Sequence, residues 1–200
     1  MSERLSDFDV LHAVRLRGVV QIPALAEMLG VPAGSFGDSL ERLTASGAVF
    51  ERQGRRVGGY ALTEEGRAAH AAQLAERAGA VPVKELERVY DSFLDLNSAL
   101  KTMCGAWQQL GDDAAAKWDA VDRLETLHVD AATVFTGAGA RVPRFGRYAE
   151  RLQAALVALK GGDERYFTSP LVDSYHTVWF EAHEDFLLAL GRDRAAEGSF

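Results

Sequence analysis

This 200-residue chain contains one cysteine, five prolines and no long apolar run. The lone Cys104 cannot form a disulfide within the chain, which is typical of proteins from a reducing compartment. No stretch approaches the roughly 18 consecutive apolar residues of a membrane-spanning helix. Residues 1–7 lack the basic segment and apolar run of a signal peptide. We therefore expect a cytoplasmic protein with no membrane partner.

The sequence also lacks the motifs of covalent catalysis and phosphate binding. It contains no Gly-x-Ser-x-Gly, no Walker loop, no Cys-x-x-Cys, and no Gly-x-Gly-x-x-Gly after a predicted strand. The glycines of residues 137–140 follow a helical pattern, so we interpret this segment as a connector. These absences predict that the protein is not an enzyme and uses no cofactor.

Charge is unevenly distributed along the chain. The formal net charge is −7, from 22 Lys and Arg against 29 Asp and Glu. Residues 1–78 hold 9 basic and 10 acidic side chains, whereas residues 79–200 hold 13 and 19. An acidic protein binds polyanions poorly unless it carries a local basic patch. Any contact with nucleic acid must therefore come from such a patch.

A domain junction is predicted near residues 79–82. The composition changes there between two helical patterns, and Pro82 suits the first turn of a new helix. With 48% hydrophobic residues, the chain has ample apolar material for a core. We expect two domains, residues 1–79 and 80–200.

Hydrophobic spacing and helix-end residues predict helices and a hairpin in the first domain. In the third helix, Phe36, Leu40 and Leu43 recur at i, i+4 and i+7 and form the buried face. The full order is a helix over 7–16 after the cap Ser6, a short strand over 19–22, a helix over 23–29, the third helix, a strand over 48–52, a turn over 53–56, a strand over 57–62, and a helix capped by Thr63. This is the element order of a winged helix-turn-helix domain.

Three segments resemble bacterial winged helix-turn-helix regulators of the MarR and PadR groups. Residues 25–31 resemble their first crossing helix and turn, and residues 39–49 the end of their recognition helix. Residues 60–68 are similar to their junction between the wing and the following helix. The resemblance covers residues 5–75 and implies double-stranded DNA as the partner and transcriptional regulation as the function.

The candidate DNA contacts lie on the predicted hairpin and on the third helix. Arginines near a wing tip reach phosphates or the minor groove, and Ser, Arg and Asp can each read base edges. The candidates are Arg52, Arg55 and Arg56 on the hairpin and Ser35, Asp38, Ser39 and Arg42 on the helix. The alternative is that Arg55 and Arg56 only solubilise a loop. Arg42 would then pair with Asp38 one turn away.

The third helix departs from the family pattern. Gly34 and Gly37 together cost up to about 2 kcal/mol of helix propensity relative to alanine. Asp38 and Glu41 accompany a single basic residue, Arg42. Across the third helix and the hairpin together, basic side chains only slightly outnumber acidic ones. This small positive surplus indicates modest DNA affinity per subunit, so we expect a homodimer.

Four amphipathic helices are predicted in the second domain, because apolar residues recur every three or four positions. The inward series are Leu86, Val89, Phe93, Leu96, Leu100, Met103, Trp107 and Leu110; Val121, Leu124, His128, Ala131 and Phe135, closed by Gly137; Phe145, Tyr148, Leu152, Ala155 and Leu159 after Pro143; and Val172, His176, Trp179, His183, Phe186 and Leu190 after Ser169-Pro170. The predicted fold class is mostly α with a small β-hairpin wing. A winged helix-turn-helix domain would precede an all-α helical bundle, or half of a dimeric one.

Residues 96–101, 107–108 and 174–181 loosely resemble a helical segment of bacterial chains related to phosphoenolpyruvate-utilising dikinases. This resemblance implies no activity and assigns no site.

A basic cluster is predicted where the third bundle helix begins. Four arginines fall within eleven positions: Arg141, Arg144, Arg147 and Arg151. If their shared face points into the bundle, the guanidiniums would bind a carboxylate or phosphate in bidentate fashion. If it points outward, they would pair with acids such as Asp119, Asp122 or Glu125, or across a dimer.

Histidines occupy inward positions of adjacent helices in the second domain. Glu125-x-x-His128 has the spacing of carboxylate di-metal bundles, but those sites need a second such pair, which the sequence lacks. His176 and His183 are about 10.5 Å apart along a helix axis, too far to bind one ion easily. We therefore predict no metal, and expect histidines that are hydrogen-bonded in the core or line a pocket.

Polar residues also recur beside the apolar stripe of the first bundle helix. Tyr90, Asn97 and Cys104 are spaced by seven, with Lys101 and Trp107 nearby. Pockets are mostly apolar with a few convergent polar groups, although an ordinary core explains the pattern equally well. The candidate ligand contacts are Asn97, Lys101, Trp107, His128, Arg144, Arg147, Arg151, His176 and Trp179.

Together these patterns predict a DNA-binding one-component transcriptional regulator. It would be a homodimer whose helical domain binds a small-molecule effector, an anion if the arginine cluster faces inward. Two other functions stay open. One is a protein-interaction module that docks on a phosphotransfer-type enzyme, and the other is a metal-binding enzyme built on the bundle.

Overall fold

The computed structural model describes residues 5–54 and 58–192. Most of these residues are helical, and three short strands form an antiparallel sheet, so the expectation of a mostly α protein is confirmed. The chain divides into two compact units, Met1–Ala80 and Val81–Phe200, which we call the N-terminal unit and the helical unit. Every helix within the described ranges is too short or too polar to cross a bilayer.

The N-terminal unit packs its helices against the small sheet. Its elements are α1 (Asp7–Arg17), β1 (Val19–Val20), α2 (Ile22–Leu29), α3 (Gly37–Ala45), β2 (Val49–Arg52), β3 (Gly59–Leu62) and α4 (Glu64–Arg77). Ser6 begins α1 with a capping box: its hydroxyl accepts from the amide of Asp9, and the Asp9 carboxylate accepts from the amide of Ser6. The predicted cap is therefore confirmed.

The sheet has the strand order β1-β3-β2, with both pairings antiparallel. Gly59 begins β3 at φ +144°, and a Cβ there would collide with the backbone of Val20. Only glycine allows this close approach. The strand predicted over 19–22 is shorter than expected, because Ile22 already belongs to α2.

A tight turn joins α2 to α3. Gly30 ends α2 in the left-handed conformation (φ 64°, ψ 34°), and a 3-10 turn over Ala33–Phe36 leads into α3. The predicted third helix is therefore divided into a 3-10 turn and an α-helix. Phe36, Leu40 and Leu43 are buried, as expected.

The helical unit contains one continuous core. Its helices are α5 (Val83–Trp107), α6 (Ala114–Gly139), α7 (Gly146–Lys160), α8 (Arg165–Thr168) and α9 (Tyr175–Leu190). In the core, Phe93 stacks on Trp179 with ring centroids 4.8 Å apart and meets Phe135 edge-on at 6.0 Å. Such aromatic pairs stabilise a core beyond the area that they bury.

Two predicted helix ends in this unit are wrong. The second bundle helix does not stop at Gly137, since α6 continues to Gly139. The fourth does not open at Ser169-Pro170. Its cap is Ser174, whose hydroxyl accepts from the amide of Thr177.

The buried face of α5 also differs from the predicted seam. Its buried positions are Leu86, Tyr90, Phe93, Asn97, Leu100 and Cys104. Val89, Leu96 and Met103, which were expected to point inward, are only partly buried. Compared with the prediction, the buried face of α5 is thus shifted toward its polar residues. Two of these, Tyr90 and Asn97, form hydrogen bonds inside the unit.

Candidate nucleic-acid interface and polar core of the helical unit

The exposed face of α3 carries mainly acidic charge. Ser35, Asp38 and Arg42 are exposed, as expected, and so is Glu41. Ser39 is only 6% exposed, and its hydroxyl accepts a hydrogen bond from Nη2 of Arg42 at 3.0 Å. Its predicted place on the free face of the helix is wrong, because the side chain is buried.

Arg42 is bound by a carboxylate of α1. Its Nη2 donates to Oδ1 of Asp7 at 2.6 Å, and its Nε donates to Oδ2 at 3.1 Å. This hydrogen bond from Arg42 holds the pKa of Asp7 below its usual value. The alternative pairing of Arg42 with Asp38 is therefore wrong. Asp38 and Glu41 remain as negative charge on the same face.

The hairpin presents one basic side chain in its described part. Arg52 at the end of β2 is exposed, next to exposed Glu51 and to Phe50, which is 44% exposed. Arg55 and Arg56, the other candidate phosphate contacts, lie outside the described residues.

Two of the four clustered arginines bind carboxylates within the helical unit. Arg144 donates to Oδ1 of Asp185 from Nη2 at 2.8 Å and from Nε at 2.9 Å. Arg151 donates to Oδ2 of Asp173 from Nη2 at 2.8 Å and from Nε at 3.1 Å. The other arm of Arg151, Nη1, lies 2.8 Å from Oε2 of Glu181. These guanidiniums and carboxylates form an ion cluster that links α7 and the turn before it to α9 and the segment before it.

Both sequence interpretations of the arginine cluster need correction. Arg151 does face inward, at 8% exposed, but it binds acids of its own chain. Pairing with acids of α6 is wrong for Arg144 and Arg151, and Glu125 pairs instead with Lys160 at 2.6 Å. The other two arginines are less buried: Arg141 is exposed and Arg147 is half-buried.

The ion cluster also fixes the protonation of two of its members. Tyr148 donates to Oδ2 of Asp185 at 3.0 Å, and burial, reinforced by the charge of Asp185, raises the pKa of Tyr148 well above its usual value. Burial by itself would lower the pKa of Arg151. The charges of Glu181 and then Asp173 outweigh burial, so the pKa of Arg151 is raised. The phenol therefore stays protonated and the guanidinium stays charged.

The buried histidines of the helical unit are hydrogen-bonded to other side chains of the same unit. His128 has Nδ1 3.2 Å from the hydroxyl of Tyr175 and Nε2 2.9 Å from Oε1 of Gln153. His183 has Nε2 3.0 Å from the hydroxyl of Tyr90. These contacts agree with the expectation of hydrogen-bonded core histidines.

Two predicted ligand contacts lie at the surface instead. His176 and Lys101 are exposed, so the inward position predicted for His176 is wrong. In the part of the chain that the structure describes, no group of three or more His, Cys, Asp or Glu side chains could hold a metal ion.

Asn97 and Trp179 bind each other in the core of the helical unit. Nε1 of Trp179 donates to Oδ1 of Asn97 at 3.0 Å, and both side chains are buried. Cys104 is buried on the same helix as Asn97, and burial raises the pKa of its thiol to about 11. A redox switch would need the opposite shift.

Sequence reasoning missed a pocket of about 80 Å³ in the helical unit. Of the predicted ligand contacts, Trp107 lines it. The other lining residues are Ala114, Lys117, Trp118, Val121, Leu159, Gly162 and Glu164. No single sequence pattern could have found this pocket, because its walls come from separate segments that folding brings together.

Comparison of the chain with protein-family models, with curated proteins and with solved structures found no match. Its function is therefore inferred from its own residues and geometry.

Proposed function

We propose that this chain is a DNA-binding one-component transcriptional regulator whose N-terminal unit is a winged helix-turn-helix domain. The observation that carries the proposal is the succession of α2, the tight turn at Gly30 and α3, followed by the antiparallel β2–β3 hairpin. In helix-turn-helix proteins the second helix lies in the major groove of DNA. The exposed face of α3 supports its assignment as that helix.

The charge distribution favours the hairpin as the main phosphate contact. Asp38 and Glu41 make the α3 face acidic, and Arg42 is engaged by Asp7. The hairpin sequence supplies three arginines within five positions: Arg52, Arg55 and Arg56. Since phosphate contacts dominate affinity and its salt dependence, each subunit would bind DNA modestly and mainly at low salt.

Dimerisation and effector binding are proposed for the helical unit. Val129 on α6 and Val157 on α7 are 65% and 59% exposed, which is apolar surface that a second copy could cover. A homodimer would present its two winged units to half-sites about 34–36 Å apart. An effector that prefers one arrangement of the dimer would then change operator affinity by a population shift. The protein would act in the cytoplasm.

The decisive experiment is selection of duplexes from a random library with the purified full-length protein. Mobility shifts on the enriched sequence then give the dissociation constant at several salt concentrations. Replacing Arg55 and Arg56 with alanine should weaken binding to every sequence. The slope of log affinity against log salt should also become shallower by about 1.8, because two phosphate contacts are lost.

A charge-matched control tests whether that effect belongs to the hairpin. Lys84 and Lys101 are exposed on α5, and their double alanine variant removes the same charge from the helical unit. It should leave the salt slope unchanged. The absence of any enriched sequence, or equal slopes for the two double variants, would contradict the proposal.

The acidic face of α3 favours a second candidate function, docking on a protein. Asp38 and Glu41 lie exposed on this helix, and an exposed Phe50 is available on the hairpin. Such a module would show no sequence-specific DNA shift at physiological salt. Charge reversal by Asp38→Lys would then weaken docking on a basic partner, whereas in a DNA-binding protein it would strengthen non-specific DNA binding.

A further inference from the structure

The guanidinium of Arg42 on α3 is held on two sides by other residues of the N-terminal unit. Its Nη2 and Nε donate to the two carboxylate oxygens of Asp7, at 2.6 and 3.1 Å. Nη2 also donates to the hydroxyl of Ser39, one turn earlier on the same helix, at 3.0 Å. Ser39 is buried, so this second support is fixed in the core. Because a guanidinium is planar and rigid, three such bonds set its orientation.

The donors that remain on Arg42 all belong to one nitrogen. A guanidinium carries five N–H donors, and the bonds to Asp7 and Ser39 use the one on Nε and both on Nη2. Among residues 5–54 and 58–192, no hydrogen bond or ion pair engages Nη1 of Arg42. The side chain is nevertheless 59% exposed. Arg42 thus offers two oriented donors at the surface of α3.

Asp7 also cancels most of the charge of Arg42 as a distant phosphate senses it. A carboxylate whose oxygen lies 2.6 Å from Nη2 leaves the pair close to neutral beyond a few ångströms. Attraction to phosphates depends on net positive charge, whereas a hydrogen bond to a base depends on direction. A neutralised and oriented arginine is therefore better suited to reading a base than to binding the DNA backbone.

The two donors of Nη1 match one base in the major groove. Guanine presents two adjacent acceptors there, O6 and N7. Adenine presents an acceptor beside a donor, thymine presents one acceptor and a methyl group, and cytosine presents a donor. One nitrogen with two hydrogens is enough to bind both acceptors of guanine, since lysine does so with its single ammonium.

We propose that Asp7 is a positioning residue for base recognition, which orients Arg42 so that Nη1 donates to O6 and N7 of one guanine of the operator. This inference rests on the proposed DNA-binding function and names the base that α3 reads. Asp7 acts through Arg42 and does not itself contact DNA. Without Asp7 the guanidinium is charged and mobile, and it binds phosphates of any sequence.

The first test removes the acceptors of guanine one at a time. The operator enriched with the purified protein is synthesised with 7-deazaguanine at each guanine in turn, which deletes the N7 acceptor and keeps pairing with cytosine. The wild-type protein should lose about fivefold in affinity at one guanine of each half-site, because half of a bidentate contact is lost. Arg42→Ala should bind the unmodified operator more weakly and be insensitive to 7-deazaguanine at that position.

The second test compares the operator with a scrambled duplex of the same length. Asp7→Ala removes a negative charge and should strengthen binding to both, but more to the scrambled duplex, because the operator loses its oriented contact. The ratio of the two affinities should fall about fivefold. In the Arg42→Ala background the same substitution should leave the ratio unchanged, which a purely structural role of Asp7 does not predict. Ser39→Ala should lower the ratio by a smaller factor.

Glu41→Ala is the matched control. Glu41 is exposed on α3, and its removal changes the charge of the same helix by the same amount without touching the bonds of Arg42. It should strengthen binding to both duplexes equally. An equal fall of the affinity ratio for Asp7→Ala and Glu41→Ala would overturn the proposal. Equal weakening of both duplexes by Arg42→Ala, with a salt slope shallower by about 0.9, would identify a phosphate contact and overturn it as well.

The outcomes separate this inference from the proposed function. If an operator is enriched and no guanine in it depends on Arg42, DNA binding stands and the role of Asp7 is overturned. If no duplex is enriched, the proposed function fails, and the inference that rests on it fails too.

Discussion

The two units use the same kind of ion pair in opposite environments. In the N-terminal unit, Arg42 and Asp7 form a bidentate pair whose side chains are 59% and 40% exposed. In the helical unit, Arg151 and Glu181 lie 2.8 Å apart with side chains that are 7% and 2% exposed. Water screens the first pair and is largely excluded from the second. Removing one partner should therefore change the free energy of unfolding little for the Arg42–Asp7 pair and greatly for the Arg151–Glu181 pair.

Buried histidines show a related difference. In the N-terminal unit, Nδ1 of His12 lies 2.9 Å from Nε2 of His70, and Phe8 stacks on both rings. This stack joins α1 to α4. In the helical unit, His183 meets the hydroxyl of Tyr90 instead. The first unit thus joins two imidazoles by stacking and a hydrogen bond, whereas the second pairs an imidazole with a phenol.

The sequence provides separate reporters for the two units. All three tryptophans, Trp107, Trp118 and Trp179, lie in the helical unit, as does the lone Cys104. Tryptophan fluorescence and thiol labelling therefore report on the helical unit, while far-ultraviolet circular dichroism reports on both. Fluorescence and labelling can therefore follow variants of the helical unit, and circular dichroism can follow variants of the N-terminal unit.

The largest effect is expected for Arg151→Met. The variant leaves the buried carboxylate of Glu181, and that of Asp173, without this cation, which should lower the free energy of unfolding by about 3–5 kcal/mol. Urea unfolding followed by tryptophan fluorescence measures the change. The double variant Arg151→Met/Glu181→Met should recover part of the loss, because it also removes the buried negative charge that faces Arg151.

A surface arginine of the same unit is the control for Arg151. Arg165 pairs with Asp163 at 2.7 Å, with side chains that are 68% and 33% exposed. Arg165→Met should leave the urea midpoint unchanged within error. A similar loss of stability for both variants would show that burial does not decide the importance of these ion pairs.

The second expected effect concerns the reactivity of Cys104. Its pKa of about 11, against an ordinary 9.0, reduces the thiolate fraction near pH 8 by about a hundredfold. Labelling by a thiol reagent should be slower by at least that factor in the native protein than in urea. The raised pKa of Cys104 also makes stability depend on pH, because the folded state keeps the thiol protonated to a higher pH than the unfolded state does. The contribution of the buried thiol to the free energy of unfolding should be complete below pH 9.0 and should be lost as the pH rises to about 11. Equal labelling rates in native and unfolded protein would contradict this.

A smaller loss of stability than for Arg151→Met is expected for Asn97→Leu. The variant leaves Nε1–H of Trp179 buried without its acceptor, which should cost about 1–3 kcal/mol of stability. Urea unfolding and the emission wavelength of tryptophan measure the effect. Gln109→Leu, at an exposed position of the same unit, should have no measurable effect and serves as the control.

The smallest effect on stability is expected for Asp7→Ala. Its pair with Arg42 is exposed to solvent, so the thermal midpoint followed by circular dichroism should not change measurably. The variant frees the guanidinium on the face of α3. Under the proposed function, DNA affinity should therefore rise while stability stays constant. A clear drop of the thermal midpoint would show that this exposed ion pair contributes to stability as the buried pairs do.

Local patterns predicted much of the N-terminal unit. Ser6 as a cap, the glycine stop after α2 and the apolar spacing of Phe36, Leu40 and Leu43 depend on neighbouring residues, and the structure confirms each of them. The division of the third helix was missed, because Gly34 and Gly37 weaken the helix without showing where its first turn changes to 3-10 geometry.

The helical unit was harder to predict. Several inward residues of α6, α7 and α9 were identified correctly, but on α5 the face was rotated and on α9 His176 was placed inward. Apolar periodicity assigns a face only when polar residues are excluded from the core. Here Asn97 is buried because Trp179, on another helix, donates to it.

What this sequence determined by itself is the mostly helical composition, the order of elements and most of the helix caps and core residues, since these depend on residues within a few turns of one another. Tertiary structure decided the partners: Asp7 for Arg42, Asp173 and Glu181 for Arg151, and the segments that meet at the Trp107 pocket. The three ion pairs join residues 22 to 35 positions apart, and the hydrogen bond between Trp179 and Asn97 joins residues 82 positions apart. The energy of a buried charge or amide depends on which groups surround it, and only the folded chain fixes those surroundings.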